Sequence, residues 1–205
     1  MDARANQRAR AGIGIVALGF VTLAALVASC ASTEMTSTWT DPAAKGAALS
    51  KVAVVCITKD AGLRRIAENT TASNLAGAQA IPSYQILGDT DLKDLDTVKS
   101  KLRAAGINGV LTMRMTGVSE QVNNAIGPYG SFDTYWGYAA GAVYAPGYLD
   151  AETVVHMVSN LYSLEQNKLL WSGVSKTFVP ASAQAFMNDV SKAVAKSLEK
   201  ERVVL

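Results

Sequence analysis

Lys51-Val52-Ala53-Val54-Val55-Cys56-Ile57 is the stretch whose reading decides the fold. Six apolar residues follow the lysine without a break, and Thr58 ends the run. A short, valine-rich run of this kind fits a strand buried on both faces, the central type of a parallel sheet. Parallel neighbours need crossover connections, so helices are expected on its C-terminal side. Residues 60–76 supply the first, with Leu63, Ile66, Ala67 and Thr70 on one side, Arg64 and Glu68 on another, and Gly77 as its stop. Residues 80–87 read as a second strand with Pro82 near its start. Residues 91–105 carry Leu92, Leu95, Val98 and Leu102 at helical spacing and end at Gly106.

Farther out the period changes to two. Leu111, Met113 and Met115 alternate with Thr112, Arg114 and Thr116 over residues 109–121, as a half-buried strand should. Residues 153–164 alternate again, with Val155, Met157 and Leu161 opposed to His156, Asn160 and Tyr162. Glu165-Gln166-Asn167-Lys168 reads as a hairpin turn in which Asn167 takes the left-handed conformation, and residues 169–178 return as the partner strand. Ser182 is placed to cap a last helix whose stripe is Phe186, Val190, Val194 and Leu198. Residues 51–205 therefore read as a single α/β (α+β) domain, β-α-β-α-β-β-β-α, with helices packed on a mixed sheet.

Toward the N-terminus the character is different. Residues 31–50 (ASTEMTSTWTDPAAKGAALS) are small and polar, and 30–50 reads as a flexible tether, with Trp39 packing on the domain. Before it, Arg4, Arg8 and Arg10 precede nineteen uncharged residues, 11–29, which close on Val27-Ala28-Ser29-Cys30. This is the plan of a secretory signal peptide over residues 1–29. The last four residues resemble the lipobox of bacterial lipoproteins, in which the cysteine is acylated and becomes the new N-terminus. An uncleaved membrane anchor and ordinary signal-peptide cleavage are competing readings of the same residues. The tight spacing and the polar tract after Cys30 favour lipidation. Ala31 after the cysteine resembles the enterobacterial signal for the outer membrane, facing the periplasm.

Composition narrows the function. The leader holds three Arg and one Asp, which leaves sixteen basic and sixteen acidic residues after it. A neutral chain carries no basic footprint for nucleic acid. With Cys30 acylated, Cys56 is the one cysteine left, so stability must come from packing and not from a disulfide.

Several short segments carry a wider resemblance: Thr38-Trp39-Thr40-Asp41-Pro42, Lys51-Val52-Ala53-Val54-Val55, Arg64-Arg65, Pro82-Ser83-Tyr84, Gly109-Val110-Leu111, Asn160-Leu161-Tyr162 and Lys168-Leu169-Leu170-Trp171-Ser172-Gly173. With the lipobox, they resemble a family of Gram-negative envelope lipoproteins of unknown function. The element order is also similar to that of the curli-secretion lipoprotein, the lipoprotein activators of peptidoglycan synthases and the N-terminal domain of the Tol translocation protein. The resemblance identifies a fold more than an activity, and the preferred reading is a non-catalytic binding or assembly module that meets an envelope protein partner. A fold does not carry a function with it.

The residues themselves offer little chemistry. His156 is the sole histidine, and no nucleophile elbow, phosphate loop or dinucleotide fingerprint is present. No cofactor and no metal site is expected. Cys56 reads as inert packing, Arg64-Arg65 as solvated charge, and Asp89, Asp91, Asp94 and Asp96 as helix-start acids. An envelope hydrolase is the alternative to a binding module. Residues 127–148, GPYGSFDTYWGYAAGAVYAPGY, hold seven of the fourteen aromatics and five glycines. They read as a long loop whose rings either cover the sheet or meet a protein, a glycan or a membrane. Tyr135, Trp136 and Tyr138 are its candidate contact patch.

Overall fold

The structure is a computed structural model and describes residues 33–44, 49–116, 130–143, 154–178 and 182–203. In chain order the elements are β1 (Thr33–Thr40), β2 (Lys51–Cys56), α1 (Ala61–Asn74), β3 (Gln79–Pro82) and α2 (Leu95–Ala104). There follow β4 (Gly109–Thr116), α3 (Phe132–Val143), β5 (Val154–Ser163), β6 (Lys168–Phe178) and α4 (Ala183–Lys200). The strands form one mixed sheet in the order β1-β6-β5-β4-β2-β3. β2 runs parallel to β3 and β4, and the remaining pairs are antiparallel. This is an α/β domain of the kind the 51–57 run implies.

β2 explains why the sheet is covered on both sides. Val52, Val54 and Cys56 face a layer formed by α1 and α4, while Ala53 and Val55 face α2 and α3. Val52 to Val55 are all fully buried, which a single-faced strand cannot achieve. The α4 stripe of Phe186, Val190, Val194 and Leu198 is buried as its spacing requires. Each such side chain contributes roughly 1.5–3 kcal/mol by leaving water. Local signals set the ends. Asp60 caps α1 through Gly62 and Leu63, Ser182 caps α4 through Ala185, and Gly77 and Gly106 take positive φ after α1 and α2. Asn167 has φ 51° in the β5–β6 turn, the left-handed conformation the hairpin requires.

Four expectations need correction. Residues 33–40 are not tether but β1, paired along β6 from Thr33↔Thr177 to Thr40↔Trp171. Residues 80–87 are not one strand: β3 ends at Pro82, and Ser83–Gln85 turn in a short 3-10 helix. Proline here closes the strand, since it lacks the N–H to continue a ladder. The 127–148 loop contains α3, and its aromatics drive the helix onto the sheet. Finally, α1 buries Arg64, Ala67, Glu68 and Thr71, with Leu63 and Ile66 only half-buried.

Candidate functional site

Among the described residues, a dense polar arrangement lies where β2 gives way to α1. The Asp60 cap fixes the start of α1, and one turn later Arg64 and Glu68, four apart, point inward together. Glu68 Oε1 accepts from the Cys56 backbone N–H at 3.0 Å, from Arg64 Nε at 3.0 Å and from Ser83 Oγ at 2.8 Å. Its Oε2 accepts from the Tyr84 N–H at 2.8 Å. Arg64 Nη1 reaches Asp89 at 2.6 Å, and Nη2 donates to Ser83 Oγ and to the Leu87 carbonyl. Both side chains are buried. Arg64 is thus not the solvated charge expected of it. Arg65 is exposed, with its guanidinium 5.7 Å from the Tyr84 ring centre. Every oxygen and every guanidinium nitrogen of the Arg64–Glu68 pair is engaged. Such a group locks β2, α1 and the turn after β3 together.

Cys56, beside this pair, is fully buried, and burial pushes its thiol up to about 12, with the Glu68 charge adding to the rise. A thiol so held is inert packing, as its place in an apolar run suggests. The acidic residues divide into separate tasks. Asp89 serves Arg64, Asp91 binds Lys101 and the Gly88 N–H, and Asp94 caps α2. The Lys101 and Gly88 contacts hold the Asp91 carboxyl below its usual range, and the Thr97 hydroxyl does the same for Asp94. Among the described residues no three His, Cys, Asp or Glu come together as a metal site.

The aromatic patch is rebuilt by α3. Phe132, Tyr135, Trp136 and Ala139 recur at helical spacing and are buried against β5, β6 and α2. Tyr135 stacks on Tyr162 with ring centres 5.6 Å apart, and Phe132 touches Trp136 and Tyr162. Trp136 Nε1 donates to the Leu92 carbonyl at 3.2 Å, and Asp133 pairs with Lys99 at 2.8 Å. Tyr135 and Trp136 therefore belong to the core and not to an exposed contact patch. Tyr138 alone of the three is exposed, at 39%, and its ring lies 5.3 Å from the Arg114 guanidinium. Tyr129, Tyr144 and Tyr148 lie outside the described residues, as do Cys30 and the whole of residues 1–29.

Past α3, the same face of the sheet turns polar. Thr112, Arg114 and Thr116 on β4 stand beside His156, Val158 and Asn160 on β5, and these beside Ser172, Val174 and Lys176 on β6. Ser172 Oγ donates to Asn160 Oδ1 at 2.6 Å. His156 is half-buried opposite Thr116 and Lys176, and its Nδ1 has no hydrogen-bond partner among the described residues. Its register neighbours carry a hydroxyl and an ammonium, not a carboxylate that would orient the ring as a base. Sequence alternation places these residues on one face correctly, but it cannot show that the face is shared by three strands.

No family model matches the chain, and no curated protein does. Among solved structures it is similar to the PelC dodecamer from Paraburkholderia phytofirmans, at 15% identity and a TM-score of 0.42, over 83% of this chain and 98% of that one. TolB from Acinetobacter baumannii matches at 15% identity and a TM-score of 0.39, over 83% of this chain and 31% of its own. Likenesses of this strength carry nothing about the chain's activity.

Proposed function

We propose that the protein is an envelope lipoprotein, acylated at Cys30 and held on the periplasmic side of the outer membrane, whose domain is a non-catalytic binding or assembly module. The observation that carries this reading is the sequence Val27-Ala28-Ser29-Cys30 after nineteen uncharged residues, with a folded sheet beginning three residues later at Thr33. Two acyl chains anchor almost permanently at about 0.8 kcal/mol per buried methylene, where one holds only marginally. The module reading is supported by the use of the domain's buried polar groups. Arg64 and Glu68 are spent on holding three elements together, and Cys56 is locked in its protonated form. The partner is an envelope protein.

Replacing Cys30 by Ser releases the protein from membranes or stalls its processing. Intact-mass measurement of the native protein checks the anchor directly, and an unmodified Cys30 overturns it. Cross-linking in cells, followed by identification of the attached chain, tests the partner; a protein that cross-links to nothing in the envelope is not an assembly module.

A further inference from the structure

We infer that one end of the sheet, the end bearing Thr33, Lys176 and Phe178, rests on the phospholipid surface that holds the anchor. The inference rests on the acylation of Cys30 and goes beyond it, because an anchor alone leaves a domain free to stand off the membrane. Here the chain is too short for that. Thr33 is the third residue after Cys30, and three residues span at most about 10 Å. A flexible tether of twenty residues would have reached two to three times as far, at roughly 5–6 Å times the square root of its length. With β1 already in the sheet at Thr33, the end of the sheet at which β1 begins must lie at headgroup level.

The register says what else is at that end. β1 is antiparallel to β6, so its first residue meets the last turn of β6: Thr33 stands opposite Thr177, their hydroxyl oxygens 2.7 Å apart. The next residue of β6 is Phe178, paired with Val154 at the start of β5. Phe178 is 39% exposed, one of two large apolar side chains so exposed among the described residues. The other, Tyr138, lies over Arg114. Lys176 projects to the same side as Phe178, its Nζ 4.5 Å from the ring centre. An aromatic ring enters the boundary between headgroups and acyl chains, and an ammonium held over that ring stands at the level of the phosphates. Chain length forces this end to the bilayer, and independently it carries side chains suited to one. The phospholipid bilayer is therefore the occupant.

Single cysteines test it in the native lipidated chain. Cys56 is buried with its thiol held protonated, and an acylated Cys30 is blocked, so an introduced cysteine takes an environment-sensitive fluorophore by itself. Three positions are compared in phospholipid vesicles carrying a lipid-borne quencher. Phe178→Cys lies at the inferred contact, Glu34→Cys at the same end with Phe178 in place, and Gln166→Cys in the β5–β6 turn at the opposite end. Quenching should be several-fold stronger at positions 178 and 34 than at 166. Equal quenching at all three positions, with Cys30 shown acylated by mass, overturns the contact and leaves the anchor standing. An unmodified Cys30 overturns both.

Discussion

Glu68 is wholly buried, and four donors converge on its two oxygens. Removing it takes away the buried partner of Arg64 Nε and leaves the Ser83 hydroxyl and two backbone N–H groups without their acceptor. Breaking a buried pair of this kind costs about 3–5 kcal/mol, so Glu68→Ala should lower the urea midpoint steeply while a change at exposed Arg65 does little. Gly173 is constrained by space: a Cβ there would stand 2.5 Å from Met35 Cε and 2.5 Å from Trp171 Cη2. Met35 is flexible enough to yield, but the indole is fully buried and is not. Gly173→Ala is expected to cost about 1–3 kcal/mol, read from the same unfolding curve. Asp41 gives the pH dependence. The Lys168 ammonium, and then the Ala43 N–H, hold its carboxyl below the ordinary 3.8. A depressed folded-state pKa adds stability that is complete above the unfolded value and lost as pH falls through the folded one. Asp41→Asn should therefore be less stable than the parent at pH 7, and the gap should close on acidification below about pH 4. The cap at Ser182 and the left-handed Asn167 were legible in the sequence because each acts on its immediate neighbours. Arg64 was not. An arginine in a helix reads as surface until Ser83 and Asp89, nineteen and twenty-five residues away, are brought to it.

At the scale of the element, α3 makes the sharpest distinction. Its inward face carries Phe132, Tyr135, Trp136 and Ala139, while Tyr138 points outward. Trp136→Ala should cost about 3–5 kcal/mol, with the melting temperature as readout. Tyr138→Ala, away from the packed face, should stay within about 0.5 kcal/mol of the parent. Equal effects at the two positions would mean that α3 does not dock by this face. The helix escaped sequence reading because Gly137 and its glycine-rich flanks lower helix propensity, and packing of the rings overrides that cost. β1 escaped for a different reason. The register slips between Met35 and Ser37, so Met35 packs toward α1 and α4 while Trp39 packs toward α2 and α3. Only Met35 and Trp39 are large and apolar among the eight residues of β1, too few for a period-two pattern to stand out although exposure along the strand alternates. α4 was read correctly since its stripe runs unbroken from Phe186 to Leu198, whereas α2 starts only at Leu95, with Asp94 as its cap and Leu92 in a separate 3-10 turn.

For the molecule as a whole, the decisive question is whether the segment after Cys30 is a leash or part of the body. The sheet was legible from β2 outward because buried strands advertise themselves by continuous apolar runs. Its outermost strand was hidden by the Thr-rich polarity that suits an edge. Yet β1 is tied in by more than its ladder. The Asp41 N–H donates to the Leu170 carbonyl at 2.9 Å, Asp41 pairs with Lys168, and Ala44 is buried in the α1–α4 layer. Deleting residues 33–44 would turn β6 into an edge and uncover Trp171, Leu170 and Val174, now all buried. An exposed edge of that length and apolarity invites pairing with a second chain. The deletion should therefore lose cooperative urea unfolding and elute as aggregate in size-exclusion chromatography. A glycine-serine insert between Ser32 and Thr33 should behave oppositely. It adds no load to any packed element, so the melting temperature should match the parent. The insert does free the sheet's end from the bilayer, so the fluorophore introduced through Glu34→Cys should lose a large part of its lipid quenching. An insert that lowers the melting temperature as much as the deletion would mean that the residues before Thr33 are themselves part of the folded body.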